Sequence, residues 1–325
     1  MVTWPGLLRR ERFHTAVAYL IAAACLVWVF HDVDPGVMLQ AAGGPRWRWV
    51  ALAIVVDVCS YVLQGLRWKL LLTSVGRITW LQAAQGIYAG LFTSEVLPLR
   101  AGEVMRAYVV ARRLQKPVSA IFPSVLVERL FDGVWLSIAV GIAATLLPLP
   151  PAFRLAADVL GVLIVGAAAL FLYEVLRVPP APPAHHHHLH PPHWLTRFRR
   201  EFGQIGRRRE TYLALAVSLA VLAGQALAFW LVMRAYGFEV SFLQGASALI
   251  VVSLGTAVPS APANVGTYQF ATVVGLTLLG IDKTRASGFS VVVFVILTIP
   301  LLVIGFVALA RSGASLAAVR ASVRR

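Results

Sequence analysis

Apolar runs of membrane-spanning length alternate with short polar breaks along almost the whole chain. A bilayer core takes roughly 20 apolar residues of helix. On that measure Thr15–Phe30, Trp49–Leu66, Val118–Leu147, Leu155–Leu176, Tyr212–Met233 and Ala286–Ala310 read as spans. Two further apolar runs are interrupted. Leu81–Leu97 ends at Pro98-Leu-Arg100-Ala-Gly102, and Gly245–Val258 ends at Pro259-Ser-Ala-Pro262-Ala-Asn264-Val-Gly266, with apolar Thr267–Leu279 beyond. Closely spaced Pro and Gly break a helix. At 1.5 Å per residue Leu81–Leu97 rises only about 25 Å, so it is expected to enter the bilayer without crossing it. The pattern predicts an all-α integral membrane protein with about six transmembrane helices and two re-entrant hairpins of broken helix.

The two broken runs are related. Gln64, Leu66, Leu70, Gly76 and Pro98 recur as Gln225, Leu227, Leu231, Gly237 and Pro259, each pair 161 positions apart. The Gly and Pro matches fall at the loop and the break. The expected organisation is one membrane domain over 1–325, with a first repeat at 14–147 and a second at 152–310. The span before Gly76 runs inward and the one before Gly237 outward, so the repeat has inverted topology, a recurring plan of transporters.

Composition agrees: 59% of the 325 residues are hydrophobic, 13% are charged, and mean hydropathy is +0.77. The net charge of +15 could suggest nucleic acid. The basic residues, however, gather at span ends, where topology and anionic headgroups explain them, so no nucleic acid is expected. The Lys/Arg excess places both termini, the Arg67–Arg77 and Arg106–Lys116 regions and the Pro/His/Arg-rich loop 179–209 in the cytoplasm. The eight histidines are His14, His31 and six between His185 and His193. They sit at span ends or in that loop, which argues against Ser/His or metal hydrolysis inside the membrane. Neither a metal site nor a cofactor is expected, and no enzyme activity. The N-terminus reads as a retained first span.

Charge inside the apolar pattern marks the candidate site, since a charge at the bilayer centre costs about 2.5–3.5 kcal/mol. Leu91–Arg113 carries Glu95, Arg100, Glu103 and Arg106 around the first break. Glu128 and Asp132 fall near mid-span, four apart on one helix face, and need a cation from elsewhere. Arg100 and Arg106 are the expected partners, with Arg129 pointing to another side. Either this network only holds the fold, or it forms a pocket in which arginines take a lipid phosphate and carboxylates an amine. The second hairpin offers neutral groups, among them Asn264 and Gln269. Asp57 is expected to be buried and paired. Arg67, Trp68 and Lys69 read as interface anchors.

Pro98-Leu-Arg-Ala-Gly-Glu-Val-Met-Arg106, then Glu128-Arg-Leu-Phe-Asp132, then Pro259-Ser-Ala-Pro-Ala-Asn-Val-Gly266 together resemble the lysylphosphatidylglycerol synthase transmembrane, or flippase-like, family. Gly65-Leu-Arg-Trp-Lys69 adds to the likeness. The resemblance implies a stand-alone member in the bacterial or archaeal inner membrane, without the aminoacyl-transferring domain. It also implies a substrate site at Arg100, Glu103, Arg106, Glu128, Arg129, Asp132, Asn264 and Gln269, with Pro98, Gly102, Pro259, Pro262 and Gly266 shaping the hairpins. The family often has Gly where Ala263 stands and Glu where Gln269 stands. The expected function is translocation of a membrane lipid between leaflets: an anionic or aminoacylated phospholipid, or an isoprenoid lipid. The alternatives are a scaffold that recruits a lipid-synthesising enzyme and a carboxylate-dependent intramembrane enzyme. No Walker-type loop is present to hydrolyse nucleotide.

Overall fold

The computed structural model describes residues 19–33, 44–96, 101–146, 151–177, 209–257 and 261–313, with the single residues Gly36 and Ile205. The described residues form ten α-helices and no strand. They are α1 (Tyr19–Phe30), α2 (Trp47–Leu71), α3 (Trp80–Val96), α4 (Ala101–Leu114), α5 (Val118–Leu146), α6 (Pro151–Arg177), α7 (Arg209–Ala235), α8 (Phe242–Ala257), α9 (Thr267–Thr277) and α10 (Lys283–Ser312). The protein is an all-α membrane protein. Among the described residues, three segments are long and apolar enough to cross a bilayer: Trp47–Ser74, Arg209–Ala235 and Lys283–Ser312. The 29-residue α5 and 27-residue α6 match them in length. Leu155, Val162, Leu163 and Val165 on α6, with Val303 and Phe306 on α10, are openly exposed, as a lipid-facing surface requires.

Local sequence explains the boundaries. Pro151 opens α6, where its missing N–H costs nothing. Asp282 caps α10, its Oδ2 accepting from the Thr284 N–H at 2.9 Å, and Gly313 closes that helix at φ 64°. Helices α3 and α8 begin alike. The Thr79 N–H donates to Gln82 Oε1 at 3.0 Å and the Gln82 N–H to Thr79 Oγ1 at 3.3 Å. Ser241 and Gln244, 162 positions on, repeat the exchange at 2.8 and 3.3 Å. Both are reciprocal capping boxes.

The short helices pair as hairpins, α3 with α4 and α8 with α9. The first crossing is made by glycine. A Cβ on Gly102 would lie 1.9 Å from the Gly90 carbonyl oxygen, so no side chain fits there. In the second hairpin the chain turns through Pro262–Asn264, with Ala263 at φ 58° and Asn264 at φ 52°, then Gly266 at φ 89°. The last places a Gly where any other residue would be strained.

Helix α2 against α7 is the most extensive contact between helices. Several other contacts come in pairs: α2–α3 with α7–α8, α4–α5 with α9–α10, α3–α10 with α8–α5, and α2–α5 with α7–α10. Exchanging α2–α5 for α7–α10 maps these pairs onto one another, while the contacts of α6 with α5 and α8 have no counterpart among the described residues. One core, around Trp68, Ile87, Val110 and Ile121, holds the first hairpin. Another, around Phe229, Val252, Ala271 and Phe289, holds the second.

Candidate functional site

Three helices converge on Glu128. Its carboxylate is fully buried on α5, a position that is unfavourable without counter-charge. Arg106 of α4 supplies part of it, with Nη1 donating to both carboxylate oxygens at 3.0 Å. Arg67 of α2, also fully buried, donates through Nη2 to Oε1 at 2.5 Å. Gln64, one turn earlier on α2, adds Nε2 at 3.1 Å. The other end of the Arg67 guanidinium is fixed by a short ion pair to Asp132 and by a 3.1 Å hydrogen bond to Ser218 Oγ on α7. Arg129 lies 3.5 Å from Glu103, 3.6 Å from Glu128 and 3.4 Å from Asp132. Three arginines thus face three carboxylates in one network.

Packing fixes its geometry. The Arg106 guanidinium stacks over the Trp68 ring, 5.1 Å from its centroid. The Trp68 indole N–H in turn donates to Ser124 Oγ at 3.0 Å. Arg106 is only 4% exposed, yet its Nε and Nη2 have no hydrogen-bond partner among the described residues. It borders a cavity of about 520 Å³. The first hairpin contributes Ser94, Glu95 and Glu103 to the wall, α5 contributes Arg129 and Asp132, and the second hairpin Ala261–Asn264. A second cavity of about 220 Å³ adjoins it across Tyr61, Glu95, Ala263 and Asn264, which line both. Asp57, Gln225 and Tyr268 belong to this smaller space.

Of the residues expected at the site, Glu103, Arg106, Arg129, Asp132 and Asn264 line the larger cavity, with Gly102 and Pro262. Arg100, Pro98 and Pro259 lie outside the described residues, as do the 179–204 part of the long loop and most of both chain ends. Glu128 lines neither cavity. It is enclosed by its partners and sets the arginines in place. Gln269 lines neither as well: its Oε1 accepts from the Gly266 N–H at 2.7 Å, capping α9. Gly266 packs against α1, where a Cβ would lie 2.4 Å from the Ala22 carbonyl oxygen.

Three expectations need correction. Arg67 and Trp68 are not interface anchors, because α2 continues to Leu71 and buries both completely. Arg129 does not point away from its neighbours but reaches Asp132 and Glu128, a long flexible side chain bending back over its own helix. Asp57 is buried, at 5% exposure, but has no hydrogen bond or ion pair among the described residues. Sequence reasoning did not give Tyr61 a place in the site. Its seven-residue spacing from Trp68 and its position between Asp57 and Gln64 put it on the same part of α2, and that was the available signal.

Residues 15–305 match the family described as the lysylphosphatidylglycerol synthase TM region. The chain belongs to that family. The matched range takes in the described residues of both hairpins, the charged network and both cavities. A relative, glycosyltransferase AglD of Haloferax volcanii, is 31% identical over 150 residues. The alignment takes in 43% of this chain and 23% of that protein. The family therefore places this chain among lipid-related membrane proteins.

Proposed function

We propose that the chain translocates a phosphate-bearing lipid between leaflets, with the phosphate held by Arg106 and Arg129 in the larger cavity. The observation that carries this is the Arg106 guanidinium. One of its nitrogens is committed to Glu128, while Nε and Nη2 stay buried beside a 520 Å³ space with no hydrogen-bond partner among the described residues. Buried donors of that kind cost about 1–3 kcal/mol each when left unsatisfied, and a phosphate oxygen satisfies them with charge assistance. The cavity volume suits a polar headgroup, with acyl chains remaining in the surrounding lipid. The carboxylates earlier expected to take an amine, Glu128 and Asp132, are engaged by arginine. The network is both a structural support and the wall of the site.

The architecture supports an alternating-access reading. Four pairs of helix contacts match between the halves, and both hairpins open with the same capping box. If α2, α5, α6 and α7 cross and the hairpins re-enter, α2 and α7 run in opposite directions and the repeat is inverted. The hairpin breaks then meet between the halves, where inverted-repeat transporters place their substrates. The basic ends of α2 and α4, with Lys69, Arg77, Arg112 and Arg113, fit the cytoplasmic side.

Reconstitution into liposomes with headgroup-labelled lipids tests the proposal. Wild-type protein should move label between leaflets and Arg106→Ala should not. If neither exchanges any lipid offered, the translocation reading fails. The likeness to a glycosyltransferase favours a second reading, in which the domain serves a lipid-modifying enzyme as a membrane platform. That reading expects Arg106→Ala to leave partner activity intact.

A further inference from the structure

The charges of the site are unevenly divided. Arg106 and Arg129 line the larger cavity with Glu95, Glu103 and Asp132, whereas the 220 Å³ cavity has Asp57 and Glu95 on its wall and, among the described residues, no Lys, Arg or His. Asp57 is 95% buried, lines this space and has no partner among the described residues. Glu95 Oε2 is likewise buried without a hydrogen-bond partner. A buried carboxylate without counter-charge is strongly unfavourable.

The internal correspondence shows what is missing. Around Glu128 stand Gln64 and Arg67 of α2 and Ser218 of α7. Exchanging halves at the 161-residue spacing turns these into Gln225 and Ala228 of α7 and Asp57 of α2. Gln225 and Asp57 do share the smaller cavity. Where one half places a guanidinium, the other has the methyl group of Ala228, and where one half has the Ser218 hydroxyl the other has the Asp57 carboxylate on the cavity wall. Tyr61 and Tyr268 and an apolar wall that includes Phe92 and Phe294 complete the lining.

We infer that the smaller cavity binds a singly charged cation between Asp57 and Glu95. Two carboxylates and a side-chain amide supply oxygen ligands. Aromatic faces and apolar walls suit a weakly hydrated monovalent ion over a strongly hydrated divalent one. The chemistry is shared by an inorganic alkali ion and by a headgroup ammonium. Glu95 and Asn264 border both cavities, so the cation would sit beside the space assigned to the phosphate. Binding here does not depend on translocation.

The test is binding by purified protein in detergent. Thermal unfolding and equilibrium 22Na binding are measured in sodium chloride, and unfolding also in ethanolamine hydrochloride, against N-methyl-D-glucamine chloride at equal ionic strength. Stabilisation by sodium assigns a free ion, and stabilisation by ethanolamine assigns a headgroup ammonium. Asp57→Asn should weaken the effect about tenfold or more, with Glu95→Gln acting in the same direction. Gly161→Ala on α6, which lines neither cavity and has open space at its Cβ, should keep the cation effect and serves as the folding control. No cation effect in wild type, an effect from calcium chloride alone, or a full effect in Asp57→Asn overturns the inference. None of these measurements requires lipid movement, so failure here and failure of transport are separate results.

Discussion

Arg106 gives one nitrogen to Glu128, at 3.0 Å from each carboxylate oxygen, and its two others, beside the cavity, have no hydrogen-bond partner among the described residues. The same residue is thus held by the protein and open to a ligand. Arg106→Lys keeps the charge but loses the planar fork. It should lower lipid exchange by about tenfold or more in the liposome assay, while the protein still purifies as a folded species.

Arg67 separates folding from binding in the opposite way. It is fully buried between Glu128 and Asp132 and lines neither cavity. Arg67→Ala leaves Glu128 without its shortest partner and should destabilise the protein by about 3–5 kcal/mol. Thermal unfolding in detergent would show this as a much larger fall in midpoint than Arg129→Ala produces.

The Gly90–Gly102 crossing sets a steric limit. Gly102→Ala drives a methyl group against the Gly90 carbonyl and should cost about 3 kcal/mol. Gly161→Ala on α6, with nothing within 4 Å of its Cβ, should be neutral or slightly stabilising. Paired unfolding curves check the contrast.

Gln269 acts as a cap. Gln269→Ala should lose about 1 kcal/mol of stability and leave the affinity for a labelled headgroup unchanged in a direct binding measurement. A large loss of affinity with unchanged stability would instead bring the side chain into the site.

Inverted topology predicts sidedness. In a background lacking Cys25 and Cys59, cysteines at Arg77 and Glu239 should react with impermeant maleimide from opposite faces of the membrane. Labelling of both from one face would remove the inverted repeat.

Most helix boundaries were readable from the apolar pattern to within a few residues, because Pro, Gly and capping residues punctuate it. Trp80–Val96 and Val118–Leu146 depart by one residue or less from the expected limits at each end. The network was legible in its members on α4 and α5, since charges in apolar segments stand out. Arg67 was not, because a basic residue near the end of an apolar run looks the same whether the helix stops there or runs another turn. The isolation of Asp57 could not be read either: lacking a partner is a property of neighbouring helices, here α7 and α10, not of the residue's own segment.

The paired contacts α3–α10 and α8–α5 have a consequence for biosynthesis. The first hairpin docks on the final helix, so it leaves the ribosome well before its partner exists. Until Lys283–Ser312 is inserted, the flank of α3 that will meet it, including Tyr88 and Phe92, remains without its packing surface. Assembly of the first half is therefore completed only once α10 is in place, and a nascent protein stalled before α10 would be a natural target for membrane quality control.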